Sequence, residues 1–220
     1  MSVKRKRVGI LISGRGSNMR SLVAAAQAID FPAEIALVLS NRPDAAGLDF
    51  AKDSGIATAV VDHKAFGKDR EAFERAMQDA LVAHDIELIC LAGFMRLLTP
   101  WFVGQWSGKL INIHPALLPS YKGLHTHERA LADGVKIHGC TVHFVVPAMD
   151  EGPIIAQAAV PVLGSDTPDT LGARVLEQEH VVYARALKLI ASGQYRVEGN
   201  CVRPNADGTV PPALVMPSEA

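Results

Sequence analysis

Aromatic side chains are scarce in this sequence, with two tryptophans, three tyrosines and seven phenylalanines in 220 residues. A core must therefore come from Leu, Val, Ile and Ala, and with 49% apolar residues there are enough of them to build a sizeable one. Cysteine is equally sparse. Cys90, Cys140 and Cys201 are odd in number, widely spaced and form no Cys-x-x-Cys pair, which excludes a disulfide framework and points to free thiols in a reducing compartment. Excess charge is missing too. Lys and Arg number 22 against 23 Asp and Glu, so the net field favours neither nucleic acid nor an acidic membrane as a partner. No stretch approaches the ~20 apolar residues of a membrane helix. The basic start, Met1 to Arg7, is followed by only five apolar-rich residues, Val8 to Ile12, before Ser13-Gly14-Arg15-Gly16. That is too short for a signal peptide, and the basic run reads as a solvated lead-in to a strand rather than a nucleic-acid tail. A cytoplasmic location is expected.

What is present is alternation. Apolar runs at Arg7–Ile12, Glu34–Leu39, Ala57–Val61 and Leu88–Ala92 read as buried strands. Amphipathic stretches at Asn18–Ala28, Ala45–Ser54 and Asp69–His84 read as the helices between them. This order predicts an α/β chain with a mostly parallel, twisted sheet covered by helices on both faces. Further on, Leu110–His114 is a strand stopped by Pro115, and Thr126–Ala132 a helix closed by Gly134. Gly139–Val146 and Ile154–Val160 are strands joined by a short loop, antiparallel additions in the C-terminal half. Thr167 caps a long helix with Pro168 at its first position. From Asn200 the Pro, Gly and Asn content predicts a hairpin or loose coil. A soft boundary near residue 100 divides the chain into halves 1–100 and 101–220.

Two motifs carry chemistry. Ser13-Gly14-Arg15-Gly16-Ser17-Asn18 joins the first strand to the first helix, where glycines admit an anion and the helix N-terminus offers free N–H groups. Ser17 and Asn18 add short polar side chains suited to capping and to phosphate. The dinucleotide fingerprint fails, because Met19 stands where Gly or Ala is needed and Ser40-Asn41 where the second strand should end in an acid. A monophosphate fits better than NAD; a glycine turn without a ligand is the plainer alternative. The second motif is Asn112-Ile113-His114. Side chains two apart on a strand share a face, so an amide donor and an imidazole project together from the C-terminal end of a strand. They pair an oxyanion donor with a proton shuttle. Asp150, in the loop before Gly152-Pro153, would fix the ring if it reaches His114; a core His and a turn Asp are the alternative. His125, His127, His138 and His143 raise the question of zinc, but no carboxylate or Cys stands at ligand spacing, and no metal is expected. Glu179 lies at the edge of a helical stripe of Leu171, Val175, Val182, Ala186 and Leu189, where an acid facing inward needs a partner; an edge salt bridge is the plainer alternative.

These segments resemble the formyltransferase family, most closely its glycinamide ribonucleotide branch. The resemblance rests on Ile12–Asn18, Leu91–Leu97, Ile111–Pro119, Gly123–His127, His138–Phe144, Asp150–Ile155 and Gln178–His180, within residues 7 to 195. It implies a Rossmann-like formyltransferase fold, with a phosphate-binding half (1–100) and a folate-binding, catalytic half (101–220). The implied reaction is formyl transfer from 10-formyltetrahydrofolate, a co-substrate, to the amine of a small phosphorylated acceptor, by a monomer or homodimer. By the same resemblance, Asn112, His114 and Asp150 are catalytic. Gly16, Ser17, Asn18 and Glu179 hold the acceptor. Arg70, Met95, Arg96, Leu97, Leu98, Asn112, Val146, Pro147, Ala148, Met149 and Asp150 line the folate cleft. The chain departs from the family's pattern at Leu176, where a polar residue can serve the acceptor site, and at Glu151, where a Gly often follows the catalytic Asp.

Overall fold

The computed structural model describes residues 5–206 together with 208, 214 and 216. The chain divides into two units, Met1–Asn112 with Phe144–Pro147, and Ile113–His143 with Ala148–Ala220.

In the first unit the strands are β1 (Lys6–Ile12), β2 (Ala33–Ser40), β3 (Ala57–Val60), β4 (Leu88–Leu91) and most of β5 (Leu110–His114). They pair in parallel, β3 on β2, β2 on β1, β1 on β4 and β4 on β5. The helices are α1 (Ser17–Ala26), α2 (Gly47–Asp53), α3 (Arg70–Ala83) and α4 (Pro100–Gln105). The central strands read as continuous apolar runs because both faces are covered: Val8 and Ile10 to Ile12 have no exposed surface at all. α3 shows why its sequence is helical. Asp69 accepts a hydrogen bond from the Ala72 N–H at 2.9 Å and caps the first turn. Phe73, Met77 and Leu81, spaced by four, bury one stripe in the core with Phe102 and Trp106.

Several details differ from expectation. α4 and a 3₁₀ turn at His63–Phe66 were not foreseen; both are too short to show a period. The basic lead-in is not simply solvated. Arg5 Nε donates to the Ala33 carbonyl at 2.9 Å, and Arg7 holds both Glu34 (2.8 Å) and the His84 carbonyl. Gly16 in the left-handed region (φ 69°), not Ser17 or Asn18, occupies the N-cap of α1, and no side chain caps it. The strand foreseen at Gly139–Val146 lies at Ile137–Phe144, because the Val145 N–H turns to the Leu110 carbonyl at 2.9 Å.

The second unit holds α5 (Thr126–Ala132), β6 (Ile137–Phe144), β7 (Ile154–Pro161), α6 (Pro168–Ser192), β8 (Tyr195–Glu198) and β9 (Cys201–Pro204). β6 and β7 are antiparallel, as are β8 and β9, and β9 touches β7 at the Ile154–Cys201 pair. Together with the first unit's strands, this is the expected mixed α/β fold, mostly parallel with antiparallel C-terminal additions. α6 starts as its sequence dictates, with Pro168 at N1 and a reciprocal box between Thr167 and Thr170. Its buried stripe is Leu171, Val175, Val182, Tyr183, Ala186, Leu187 and Ile190. Leu189, expected in the stripe, is only half-buried, because at 100° per residue Ile190 lies nearer the line through Ala186 and Leu187. The predicted hairpin starts earlier than Asn200, at Tyr195, with Asn200 in its turn. The tail beyond it falls mostly outside the described residues. Among the described residues no helix is long and apolar enough to cross a membrane.

Candidate active site

The glycine loop in the first unit opens a cavity of about 440 Å³ lined by Ser13 to Asn18, with Asn41, Arg42, His63, Met95 and Arg96 around it. Sequence built this space locally. Gly16 adopts φ 69°, and a Cβ there would lie 2.8 Å from Met19 Cε, so the residue that breaks the dinucleotide fingerprint packs against the glycine beneath the loop. Gly47, the first residue of α2, donates its N–H to the Gly14 carbonyl at 3.0 Å. A Cβ on Gly47 would meet Ile12 Cδ1 at 2.6 Å and the Gly14 carbonyl at 3.1 Å. The buried Ser13 hydroxyl donates to Asn41 Oδ1 (2.6 Å) and accepts from the Met95 N–H (2.8 Å), tying three loops at the strand ends. His63 Nδ1–H donates to the Asn41 carbonyl at 2.8 Å. Neither Asn41 nor His63 was singled out for the site in the sequence. Their signal was position alone, at the C-terminal ends of β2 and β3.

The residues expected to line a folate cleft take several positions. Arg70, the first residue of α3, donates to the Leu97 carbonyl. Met95 is 73% and Leu97 67% exposed, while Leu98 packs against the core and Arg96 faces the cavity of the glycine loop. Glu74 explains this loop's shape. It is buried, and it accepts from the Thr99 N–H at 2.7 Å and from the Thr99 hydroxyl. Val146 and Pro147 belong to the first unit; Ala148 and Met149 belong to the second, where Met149 is 54% exposed.

In the second unit His114 and Asp150 come together. His114 ends β5, two residues beyond Asn112. Its Nδ1 lies 3.5 Å from Asp150 Oδ2, and the two side chains are 7% and 10% exposed. Its Nε2–H donates to the Tyr121 carbonyl at 2.9 Å. Asp150 has φ 56°, a left-handed conformation that costs a non-glycine residue about 1 kcal/mol or more. The surroundings hold it. The Gly123 N–H donates to Oδ2 at 2.9 Å, and His143 Nε2 stands 3.7 Å from Oδ1. The carboxylate thus lies between two imidazoles.

His143 was read only as a zinc candidate. Its place beside Asp150 follows from β6, whose alternation puts it on the face of Thr141. The Thr141 hydroxyl donates to the Ala116 carbonyl (2.7 Å) and accepts from the Leu118 N–H (3.0 Å), fixing the turn after His114. His127 and His138 meet edge to face at 5.3 Å. Burial pulls the His138 imidazole down to about 4, with the His127 charge acting the same way, and burial lowers His127 too. Gly172 on α6 leaves room for His127, whose Cδ2 would lie 3.1 Å from an added Cβ. Glu179 is buried on α6. It stands near Cys140, whose thiol is pushed up to about 12, by burial first and by the Glu179 charge second. Among the described residues no three His, Cys, Asp or Glu side chains form a group able to hold a metal ion.

A glycine-lined cavity at a helix start and a buried histidine–carboxylate pair at a strand end are parts that a group-transfer enzyme can use. Residues 6–187 match the family model described as formyl transferase, and the chain belongs to that family. Among its relatives is the phosphoribosylglycinamide formyltransferase of Escherichia coli, 42% identical, with 87% of this chain and 90% of that protein aligned. The human trifunctional purine biosynthetic protein adenosine-3 is 47% identical over 90% of this chain. The chain spans only 14% to 20% of the length of such trifunctional proteins. Among solved structures, a phosphoribosylglycinamide formyltransferase from Brucella melitensis is 54% identical, with a TM-score of 0.83 over 86% of this chain and 97% of that one. A formyltetrahydrofolate deformylase from Pseudomonas syringae shares the fold at 27% identity and a TM-score of 0.84, over 92% of this chain and 67% of that one.

Proposed function

We propose that this chain transfers a formyl group from 10-formyltetrahydrofolate to the amine of phosphoribosylglycinamide, a step of purine biosynthesis. The observation that carries the reading is the His114–Asp150 pair, 3.5 Å apart, at the end of the strand that also carries Asn112. The names of the two bacterial relatives of similar length support the acceptor, and the name of the trifunctional relatives supports the pathway.

Attack of an amine on a formyl carbon develops negative charge on the formyl oxygen. Asn112 and protonated His114 donate hydrogen bonds to it. The Tyr121 carbonyl engages Nε2–H and fixes the ring. Nδ1 stands 3.5 Å from Asp150, beyond a direct hydrogen bond; its N–H gives a proton, through water, to the folate nitrogen as the bond from that nitrogen to the formyl carbon breaks, and the vacated Nδ1 takes the proton that the attacking amine loses. Asp150 orients the ring and balances its charge. Gly16, Ser17 and Asn18 hold the acceptor's phosphate at the start of α1, and Glu179 its ribose or glycinamide portion. The folate fits the chemistry of its proposed residues. In the first unit Met95 and Leu97 offer exposed apolar surface and Arg70 with Arg96 offers cations; in the second, Met149 offers exposed apolar surface. The protein acts on small molecules as a monomer or homodimer in the cytoplasm.

The test is a turnover assay with 10-formyltetrahydrofolate, with and without phosphoribosylglycinamide. Formyl loss that depends on the acceptor is the expected result. Equal loss without it replaces this reading with a hydrolase, the activity named for the Pseudomonas syringae neighbour.

A further inference from the structure

Three consecutive residues of the second unit reach three different partners. The Tyr121 carbonyl accepts from His114 Nε2 at 2.9 Å. The Gly123 N–H donates to Asp150 Oδ2 at 2.9 Å. Between them, Lys122 Nζ lies 2.8 Å from Glu151 Oε1. The segment therefore bonds, residue by residue, to both members of the histidine–carboxylate pair and to the neighbour of one of them.

Two further facts say that this segment needs holding. Tyr121 and Asp150 both sit at φ 56° without being glycine, a conformation that persists only where surrounding contacts impose it. On one side Arg129 supplies such contacts. Its Nη1 donates to the Lys122 carbonyl at 2.7 Å, and its guanidinium lies 5.5 Å over the Tyr121 ring. On the other side, next to Asp150, the Lys122–Glu151 ion pair is the side-chain tie. Both side chains line a cavity of about 250 Å³ that Asp150 also lines.

We propose that Lys122 and Glu151 form a latch that clamps residues 121–123 onto His114 and Asp150, making both of them positioning residues for the reaction. Their effect on turnover rests on the formyl-transfer reading; their effect on the segment does not. Neither residue touches the reacting atoms. The latch acts through the Tyr121 carbonyl, which fixes the ring, and through the Gly123 N–H, which fixes the carboxylate. Because the side chains are 36% and 53% exposed, the effect is modest and salt-sensitive.

Hydrogen exchange, read by mass spectrometry on the full chain without substrates, tests the clamp itself. Peptides covering 119–127 are compared in wild type, Lys122→Met, Glu151→Gln and the charge swap Lys122→Glu with Glu151→Lys. Each single variant should speed exchange there by about 2- to 5-fold, the range an exposed ion pair supports, and the swap should recover most of the protection. Unchanged exchange in the single variants, or a swap as loose as they are, overturns the latch. In the acceptor-dependent assay kcat should fall by a similar factor with the acceptor KM unchanged. About 1 M salt should bring wild type down towards the variants while leaving them as they are. A KM effect with kcat intact overturns the positioning role. Should no variant, nor wild type, transfer a formyl group while the exchange pattern holds, the proposed reaction fails and the latch stands.

Discussion

At the residue scale the site is organised around one carboxylate. Asp150 receives a backbone N–H from Gly123 and faces His114 and His143 from its two oxygens. Replacing it with Asn keeps an oxygen for Gly123 but removes the charge, and His114→Ala removes the proposed shuttle. Each should lower kcat by about 10²- to 10⁴-fold while the acceptor KM stays within a few-fold, in steady-state assays that vary each substrate. A mutant with near-normal kcat would place the chemistry elsewhere.

His138 gives a pH prediction of definite sign. Burial lowers its imidazole from 6.5 to about 4. Between those values the unfolded chain binds a proton that the folded chain refuses, so stability is complete above pH 6.5 and drains away as pH falls towards 4. The loss from this group is at most about 3 kcal/mol. Urea midpoints at pH 7 and about pH 4.5 should therefore fall further for wild type than for His138→Phe, which keeps an aromatic ring against Tyr121 and His127. Equal drops would show that His138 is not the group responsible.

At the scale of elements, the glycine loop depends on a helix that the motif does not contain. α2 enters against the loop at Gly47, whose N–H bonds the Gly14 carbonyl at 3.0 Å and whose missing side chain leaves no gap for a methyl. Gly47→Ala must push either Ile12 or the loop. It should destabilise the chain by about 1–3 kcal/mol and raise the KM for a phosphorylated acceptor more than it lowers kcat, as thermal melts and kinetics would reveal. An acceptor KM left unchanged would mean that the loop does not hold the phosphate. Elements of this kind were legible where period and punctuation agreed. α3 announced itself through Asp69 and the four-residue spacing of Phe73, Met77 and Leu81, and α6 through Thr167-Pro168. Missed were α4 and the 3₁₀ turn at His63–Phe66: α4 carries the same kind of start, Thr99-Pro100, and the turn is capped by Asp62, but both are too short to show a period.

At the scale of the whole molecule the two candidate sites are carried by different units. The glycine-loop cavity is lined wholly by residues of the first, and the His114–Asp150 pair lies wholly in the second. With the acceptor's phosphate proposed to sit on Gly16, Ser17 and Asn18, inorganic phosphate should compete with the acceptor and not with the folate. Initial-rate patterns at several phosphate concentrations would show this, and competition against folate would assign the cavity to the other substrate.

The sequence alone determined the alternating α/β order, the glycine loop at the first strand's end and the shared face of Asn112 and His114. Each of these is a local property, set by a period of two or 3.6 residues or by glycine's freedom of φ. Tertiary structure alone decided that Asp150 reaches His114 from far along the chain, that His143 flanks the same carboxylate, and that Lys122 meets Glu151. Those meetings depend on how the turn after β5 and the loop after β6 settle against each other. No periodicity encodes that packing, because it is the joint outcome of burial and hydrogen bonding among residues far apart in the chain.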